Sequence, residues 1–294
     1  MRELLSVGTS SFCHHTSNKT PQPARAYDAP PSGLMSGGVN ATSNDAYLQV
    51  SGIAGKCLFI VRQSDEIAAK EIVPAGCRGR VLIYAPLNTR VATPRIELVG
   101  ATDEQLERLQ LLVWAGKATA EPAPFDDPMS LYEEDPDVRV RKWLQGIWRG
   151  RGSVTPDFWR LHFVVLFEGQ PVGMQDLIGD QFSTYGTVVS FSWLSSDLRR
   201  RGLGAEMRQA ILHLAFEGLG AKEATTEAFL DNAGSNGVSR AVGYQENGVT
   251  WATRRGEPGL MQRWRIAQTD WLDHRRGDIE LHGVDNPKEA LGLT

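Results

Sequence analysis

Residues 188–209, VVSFSWLSSDLRRRGLGAEMRQ, constrain this chain most. Val188, Val189, Phe191, Trp193 and Leu194 form an apolar run of strand length, rich in β-branched and aromatic residues. Gly202 and Gly204 then bracket Leu203, and Met207, Ala210, Ile211 and Leu214 recur with the period of a helix. A glycine turn feeding a helix start leaves the first N–H groups without intrahelical partners. Those groups and the positive end of the helix dipole make a site for phosphate. Arg199, Arg200 and Arg201 bring three cations to the same place, where a charge-assisted hydrogen bond is worth roughly 1.5–3 kcal/mol. The same residues also suit an ordinary surface turn, with glycines at positive φ and solvated arginines. The turn is neither a G-x-x-x-x-G-K-[ST] loop nor a G-x-G-x-x-G loop.

A length of 294 residues leaves room for one large or two modest domains. Hydrophobic content of 41% with 22% charge describes a globular chain. Its net charge of −4 argues against general nucleic-acid binding. The longest apolar runs, such as residues 163–167, fall far short of a membrane span, and residues 1–20 hold no leader-like apolar core. A cytoplasmic protein without membrane partners is therefore expected. Cys13, Cys57 and Cys77 are odd in number and lack metal-ligand spacing, so no metal is expected and the thiols read as reduced. A Cys57–Cys77 bridge stays open only for a chain outside the cell.

Residues 1–45, rich in Ser, Thr, Pro, Gly and Asn, read as a disordered arm. Residues 46–92 carry short strand-like runs (AYLQVSG, KCLFIVR, AKEIV, RVLIYAP) between glycines and prolines, which suggests a small β-rich module for assembly or docking. Its turn-rich style resembles the small β-modules of tailed-phage virion proteins. A protein partner or a homo-oligomer formed through residues 1–92 is the role expected of it, with virion association if the chain is phage-encoded.

From residue 93 the pattern becomes α/β. A strand over 95–99 precedes a helix over Asp103–Trp114, capped by Thr102 with Gln105 and stopped by Gly116. After an acidic, proline-broken segment, Pro136 opens a second helix to Trp148. Phe158–Phe167 and residues 170–177 flank a Glu168-Gly169 turn and read as a hairpin. The central strand, arginine turn and long helix come next. Glu223–Phe229 is a further strand, DNAGSNGVSRAVGY ends in a short helix, and residues 249–254 and 261–266 form a last hairpin. Residues 273–294 read as a polar, peripheral tail.

The turn Arg199-Arg200-Arg201-Gly202-Leu203-Gly204 resembles the [RQ]-x-x-G-x-[GA] acetyl-coenzyme A signature of the GNAT superfamily of N-acetyltransferases. The order of elements from residue 94 to about 272 is that of the GNAT fold, a mixed, mostly antiparallel sheet flanked by helices. EGQPVG is similar to the family's hairpin, GLGAEMRQAILHLAFEGLGA to its coenzyme helix, and DNAGSNGVSRAVGY to the N-x-x-S…G-[FY] segment of its RimJ/RimL-like branch. The resemblance implies acetyl-coenzyme A as cosubstrate and a primary amine, on a protein N-terminus or a small molecule, as acceptor. Direct attack in a ternary complex is the implied reaction. Backbone N–H groups from Arg200 to Ala205 would cradle the pyrophosphate, with the arginine side chains on phosphate. Main-chain groups of Trp193 and Leu194 would pair with the pantetheine arm.

The resemblance also implies that Asn232 hydrogen-bonds the coenzyme arm and that Asn232 and Ser235 take part in catalysis, though both residue types are equally suited to helix capping. Gly243 and Tyr244 match the family's strand-start pair, with Tyr244 read as core. Two positions depart from the family pattern. Ser239 stands where many members carry a tyrosine acid, so Ser235, Ser239 or solvent would protonate the thiolate. Val188 stands where some members carry a glutamate base, leaving Asp176, a water chain or simple desolvation of the amine. Asp176 reads more readily as a solvent-facing strand residue. For the acceptor, Asp126, Asp127, Glu133, Glu134 and Asp135 beside Phe125, Met129 and Tyr132 would suit a cationic amine, or are simply solvated. The competing reading is a structural or adhesive protein whose GNAT-like part binds coenzyme A without turnover or is vestigial.

Overall fold

The computed structural model describes residues 84–126 and 129–293, together with the short strands β1 (Gly52–Ile53) and β2 (Lys56–Cys57). Contacts divide the chain into two units, Met1–Pro74 and Ala75–Thr294. In the first unit β1 and β2 pair antiparallel, Gly52 opposite Cys57. The expected arm, the remaining strand-like runs up to residue 83, Cys13 and Cys77 lie outside the described residues.

The second unit begins with a 3-10 turn (Ala85–Asn88), β3 (Arg90–Ala92) and β4 (Ile96–Gly100). Helix α1 (Asp103–Trp114) starts where Thr102 Oγ1 accepts from the Gln105 N–H, and ends before Gly116 at φ 68°. Helix α2 (Pro136–Gly152) starts at Asp135, whose carboxylate accepts from the N–H groups of Asp137 and Val138. Strands β5 (Phe158–Phe167) and β6 (Gln170–Asp180) form a hairpin across Glu168 and Gly169. Both turn residues have positive φ, 50° and 72°, the left-handed geometry that matches strand twist. A one-turn helix α3 (Phe182–Tyr185) leads into β7 (Thr187–Leu194). Then come α4 (Leu203–His213), β8 (Glu223–Phe229), α5 (Ala233–Ala241), β9 (Gln245–Arg254) and β10 (Glu257–Ala267). A short α6 (Gln268–Trp271), β11 (Glu280–His282) and α7 (Asp285–Ala290) complete the unit.

Nine strands form one sheet in the order β11-β3-β4-β5-β6-β7-β8-β10-β9. Every neighbouring pair is antiparallel except β7 with β8. Side chains alternate between two cores, as strand geometry requires. On one face Leu106, Leu109 and Val113 of α1 and Trp143 and Ile147 of α2 pack against Val164, Met174 and Trp193. On the other, Leu203, Met207, Ala210 and Ile211 of α4 pack against Leu161, Phe163, Val165, Leu177 and Val188.

The sheet runs past both ends of the range expected for this fold, 93–272. β3 lies before it and pairs with β4 and with β11, which lies after it. The polar composition of the tail hides the buried Ile279 and Leu291, which join the α4-side core. Residues 273–294 are thus part of the domain rather than peripheral, because their few apolar groups are spaced to cover its edge.

Candidate active site

β7 and β8 pair over only three positions, Thr187 with Glu223, Val188 with Ala224 and Val189 with Thr225. Beyond them β7 follows β6 to Leu194 and β8 follows β10 to Phe229, so the two strands part. A cavity of ≈ 650 Å³ opens in the gap. Gly204, Met207 and Arg208 of α4 and Asn232, Ser235 and Val238 at α5 line one end of it. Phe125, Asp126, Arg160 and Thr253 line the other.

The start of α4 is left open by the protein. Gly202 precedes it at φ 79°, no side chain caps it, and the Glu206 N–H makes the first helical bond, to the Gly202 carbonyl. Leu203 is buried in the core, while Gly204 and Ala205 are part-exposed at the helix end. Arg200, at φ 62°, and Arg201 are exposed. Arg199 differs from the phosphate-contacting role expected of it. Its Nε donates to the Leu194 carbonyl (3.1 Å) and its Nη2 to the Ala118 carbonyl (3.1 Å), so it braces the end of β7. The turn is tied down from behind by Glu206, whose carboxylate accepts from Thr93 Oγ1 (2.6 Å) and Arg95 Nε (2.6 Å). Burial would raise the Glu206 carboxyl, but these bonds hold it below the usual value.

Main-chain direction along β7 reverses part of another expectation. The carbonyls of Val188, Ser190 and Leu194 accept from Thr225, Thr226 and Arg199, all on the side away from β6. The Phe191 carbonyl accepts from Gln175 of β6, and the Ser195 N–H donates to Val172 of β6. Even-numbered residues therefore turn their main chain to the gap and odd-numbered ones turn to β6. Trp193 also lines the cavity, but its main chain turns to β6 and its side chain joins the α1–α2 core; the main chain of Ser192 has the edge expected of Trp193, and Leu194 keeps its own.

Asn232 lines the cavity and also caps α5, its Oδ1 accepting from the Ser235 N–H (3.1 Å). Ser235 lines the cavity beside it. Ser239 does not: it is fully buried and its Oγ donates to the Ser235 carbonyl (3.2 Å), a bond within its own helix. A short hydroxyl one turn further along α5 cannot reach where a tyrosine would.

Asp176 is not solvent-facing. It is 1% exposed, and one carboxylate oxygen accepts from Arg160 Nε (2.9 Å) and Nη2 (2.6 Å) and lies 3.2 Å from His162 Nδ1. Burial would raise its pKa, but His162 and Arg160 outweigh burial and hold the carboxyl below the ordinary range. A carboxylate so engaged is a poor base. In the acidic segment before α2, Glu134 is exposed and three of the other carboxylates are engaged within the protein. Asp126 accepts from Thr253 Oγ1 (2.7 Å) and the Arg255 N–H (2.5 Å), Glu133 pairs with Lys142, and Asp135 caps α2. Asp127 lies outside the described residues. Phe125 stands edge-on to Phe191 at 5.3 Å, forming an aromatic wall at this mouth.

Arg160 and Arg208 are the site residues that sequence reasoning missed. Arg208 follows the apolar Met207 on a helix that reads as amphipathic, so its charge looks solvated, yet it is 4% exposed.

The family model for the acetyltransferase (GNAT) domain matches residues 95–245, just over half of the chain. The chain belongs to the GNAT acetyltransferase family. It is an N-acetyltransferase, and acetyl-coenzyme A is its acetyl donor. Among solved structures, the GNAT chain is similar to a putative acetyltransferase from T. thermophilus, at 17% identity and TM-score 0.49, covering 63% of this chain and 93% of that one. It is also similar to RimL, a ribosomal alpha-N-protein acetyltransferase in complex with coenzyme A, at 15% identity and TM-score 0.47, covering 60% and 95%. A third is a putative ribosomal-protein-serine acetyltransferase from Vibrio cholerae, at 15% identity and TM-score 0.47, covering 60% and 97%. Open helix start, parted strands and adjoining cavity suit a long, phosphate-headed acyl carrier. Among the described residues no helix is long and apolar enough to cross a membrane.

Proposed function

We propose that this GNAT enzyme acetylates a primary amine, on a protein N-terminus or a small molecule, by direct attack in a ternary complex. One observation carries the reading: one cavity beside the gap between β7 and β8 is lined both by residues at the start of α4 and by Phe125 and residues of the β9–β10 hairpin. Donor and acceptor entering from opposite ends would meet inside it, which is the positioning that transfer without a covalent enzyme intermediate requires. The N–H groups at the start of α4 and the exposed Arg200 and Arg201 would hold the phosphates. Main-chain groups of Ser192 and Leu194 would hold the arm, and Asn232 and Ser235 would close on it from α5. The aromatic wall and neighbouring apolar side chains would keep water out and the amine neutral.

A domain kept only as structure would be free to fill this cavity, so its size favours the enzymatic reading over an adhesive one. Initial-rate kinetics with both substrates varied test the proposal. A ternary-complex route predicts double-reciprocal lines that intersect; parallel lines would mean a covalent intermediate and would overturn it.

A further inference from the structure

Arg208 is a buried cation without a counter-ion. It is 4% exposed and enters none of the ion pairs among the described residues, and its Nε and Nη1 have no hydrogen-bond partner. It lies on α4 five residues past Leu203, about 7.5 Å along the axis at 1.5 Å per residue, and lines the same cavity. Its guanidinium stands over the Tyr244 ring at 5.7 Å. The buried hydroxyls of Tyr244 and Ser190 sit beside it, Tyr244 within hydrogen-bond reach of both Arg208 and Ser190, and the three form a cluster of donors near where β7 and β8 begin to part. An unpaired buried charge is retained at large cost unless an anion answers it. Phosphate is provided for at the surface end of the helix. The anion that acetyl transfer creates deeper in the cavity is sulfur.

We propose that Arg208, with Ser190 beside it and Tyr244 backing it, forms the site that receives the leaving sulfur of the coenzyme as a thiolate. This rests on the acetyl-transfer reading above. As the amine nitrogen bonds to the thioester carbon, the carbon–sulfur bond breaks, its electron pair goes to sulfur and the nitrogen's proton goes to water. A guanidinium does not deprotonate in this range, so it stabilises the thiolate as a charge rather than as an acid. That removes the need for the tyrosine acid whose place Ser239 holds.

Coenzyme A and desulfo-coenzyme A, which lacks the thiol, provide the test. Their dissociation constants are measured by calorimetry from neutral to alkaline pH. Among the described residues the other titratable or charged groups are Tyr244, ahead of β9 and facing Arg208, and Glu227 on β8, Arg160 on β5 and Asp126 before α2, which line the cavity; the desulfo ligand cancels their contributions. A favoured thiolate releases a proton on binding, so coenzyme A should tighten relative to the desulfo ligand by up to about tenfold per pH unit, until the free thiol itself ionises. Arg208→Met should abolish that difference while desulfo binding stays within about twofold, which also reports folding. Arg208→Lys should retain part of it. The proposal is overturned if the two ligands track each other in the native protein, or if Arg208→Met weakens both equally. It is also overturned if an acyl-coenzyme A ending in a carboxylate binds more tightly than acetyl-coenzyme A and loses that preference in Arg208→Met. Binding of neither ligand would sink the acetyl-transfer reading itself, and this site with it.

Discussion

At the scale of single residues, the site is governed by which charges are answered within the protein and which are left over. Asp176 is answered twice, by Arg160 and His162, inside the sheet. Asp176→Asn would leave Arg160 uncompensated and should destabilise the fold by roughly 3–5 kcal/mol. The pH dependence follows from the lowered carboxyl. Its stabilisation is fully present above the ordinary carboxylate range and is lost as pH falls through the lower folded-state value. Denaturant unfolding at decreasing pH should therefore show a loss in the native protein that is smaller in the variant. The arginine turn separates in the same way. Arg200→Glu and Arg201→Glu should each weaken acetyl-coenzyme A binding by roughly tenfold or more, the worth of one charge-assisted hydrogen bond, with little change in unfolding. Arg199→Ala should instead lower stability, because the Leu194 and Ala118 carbonyls lose their donor. Calorimetry and denaturant titration on the three variants separate these outcomes.

Among elements, the gap between β7 and β8 depends on two strands being held elsewhere. β6 pairs with β7 over seven positions, and β10 pairs with β8 over seven, so each finds its partner on the outer side and the inner edges stay open. The far edge is closed by the tail. β11 pairs with β3 while Ile279 and Leu291 fill the core beside α4. Removing residues 277–294 would delete both side chains, each worth roughly 1.5–3 kcal/mol buried, and expose the core they cover. The truncated protein should unfold at visibly lower denaturant concentration, and an unchanged midpoint would show the tail to be dispensable. The placement of Asp176 shows why elements do not reveal their own register. A two-residue turn at Glu168-Gly169, counted outward, sets Asp176 opposite Leu161. A bulge between Val165 and Leu166 shifts the ladder by one and sets it opposite His162.

At the scale of the whole molecule, one sheet carries two cores and a passage between them, and function resides in the passage. Periodicity and turn chemistry were enough to foretell the order of elements from α1 to β10, apart from the one-turn α3. Thr102, Gly116, Pro136 and the Glu168-Gly169 turn act through neighbours close in sequence, so their effects are legible there. The open start of α4 was legible for the same reason: Gly202 and Gly204 act on their own backbone. What only tertiary structure decided concerns residues whose partners lie far along the chain. Arg199 turned to brace Leu194 and Ala118, the main chain of Ser192 rather than that of Trp193 faced the gap, Ser239 turned into its own helix, and Asp176 met a bulge-shifted partner. Burial of Arg208 belongs with them. Local sequence sets the backbone's preferences over a few residues, but whether a charge is solvated, paired or left waiting is settled by surfaces that meet only when the sheet closes.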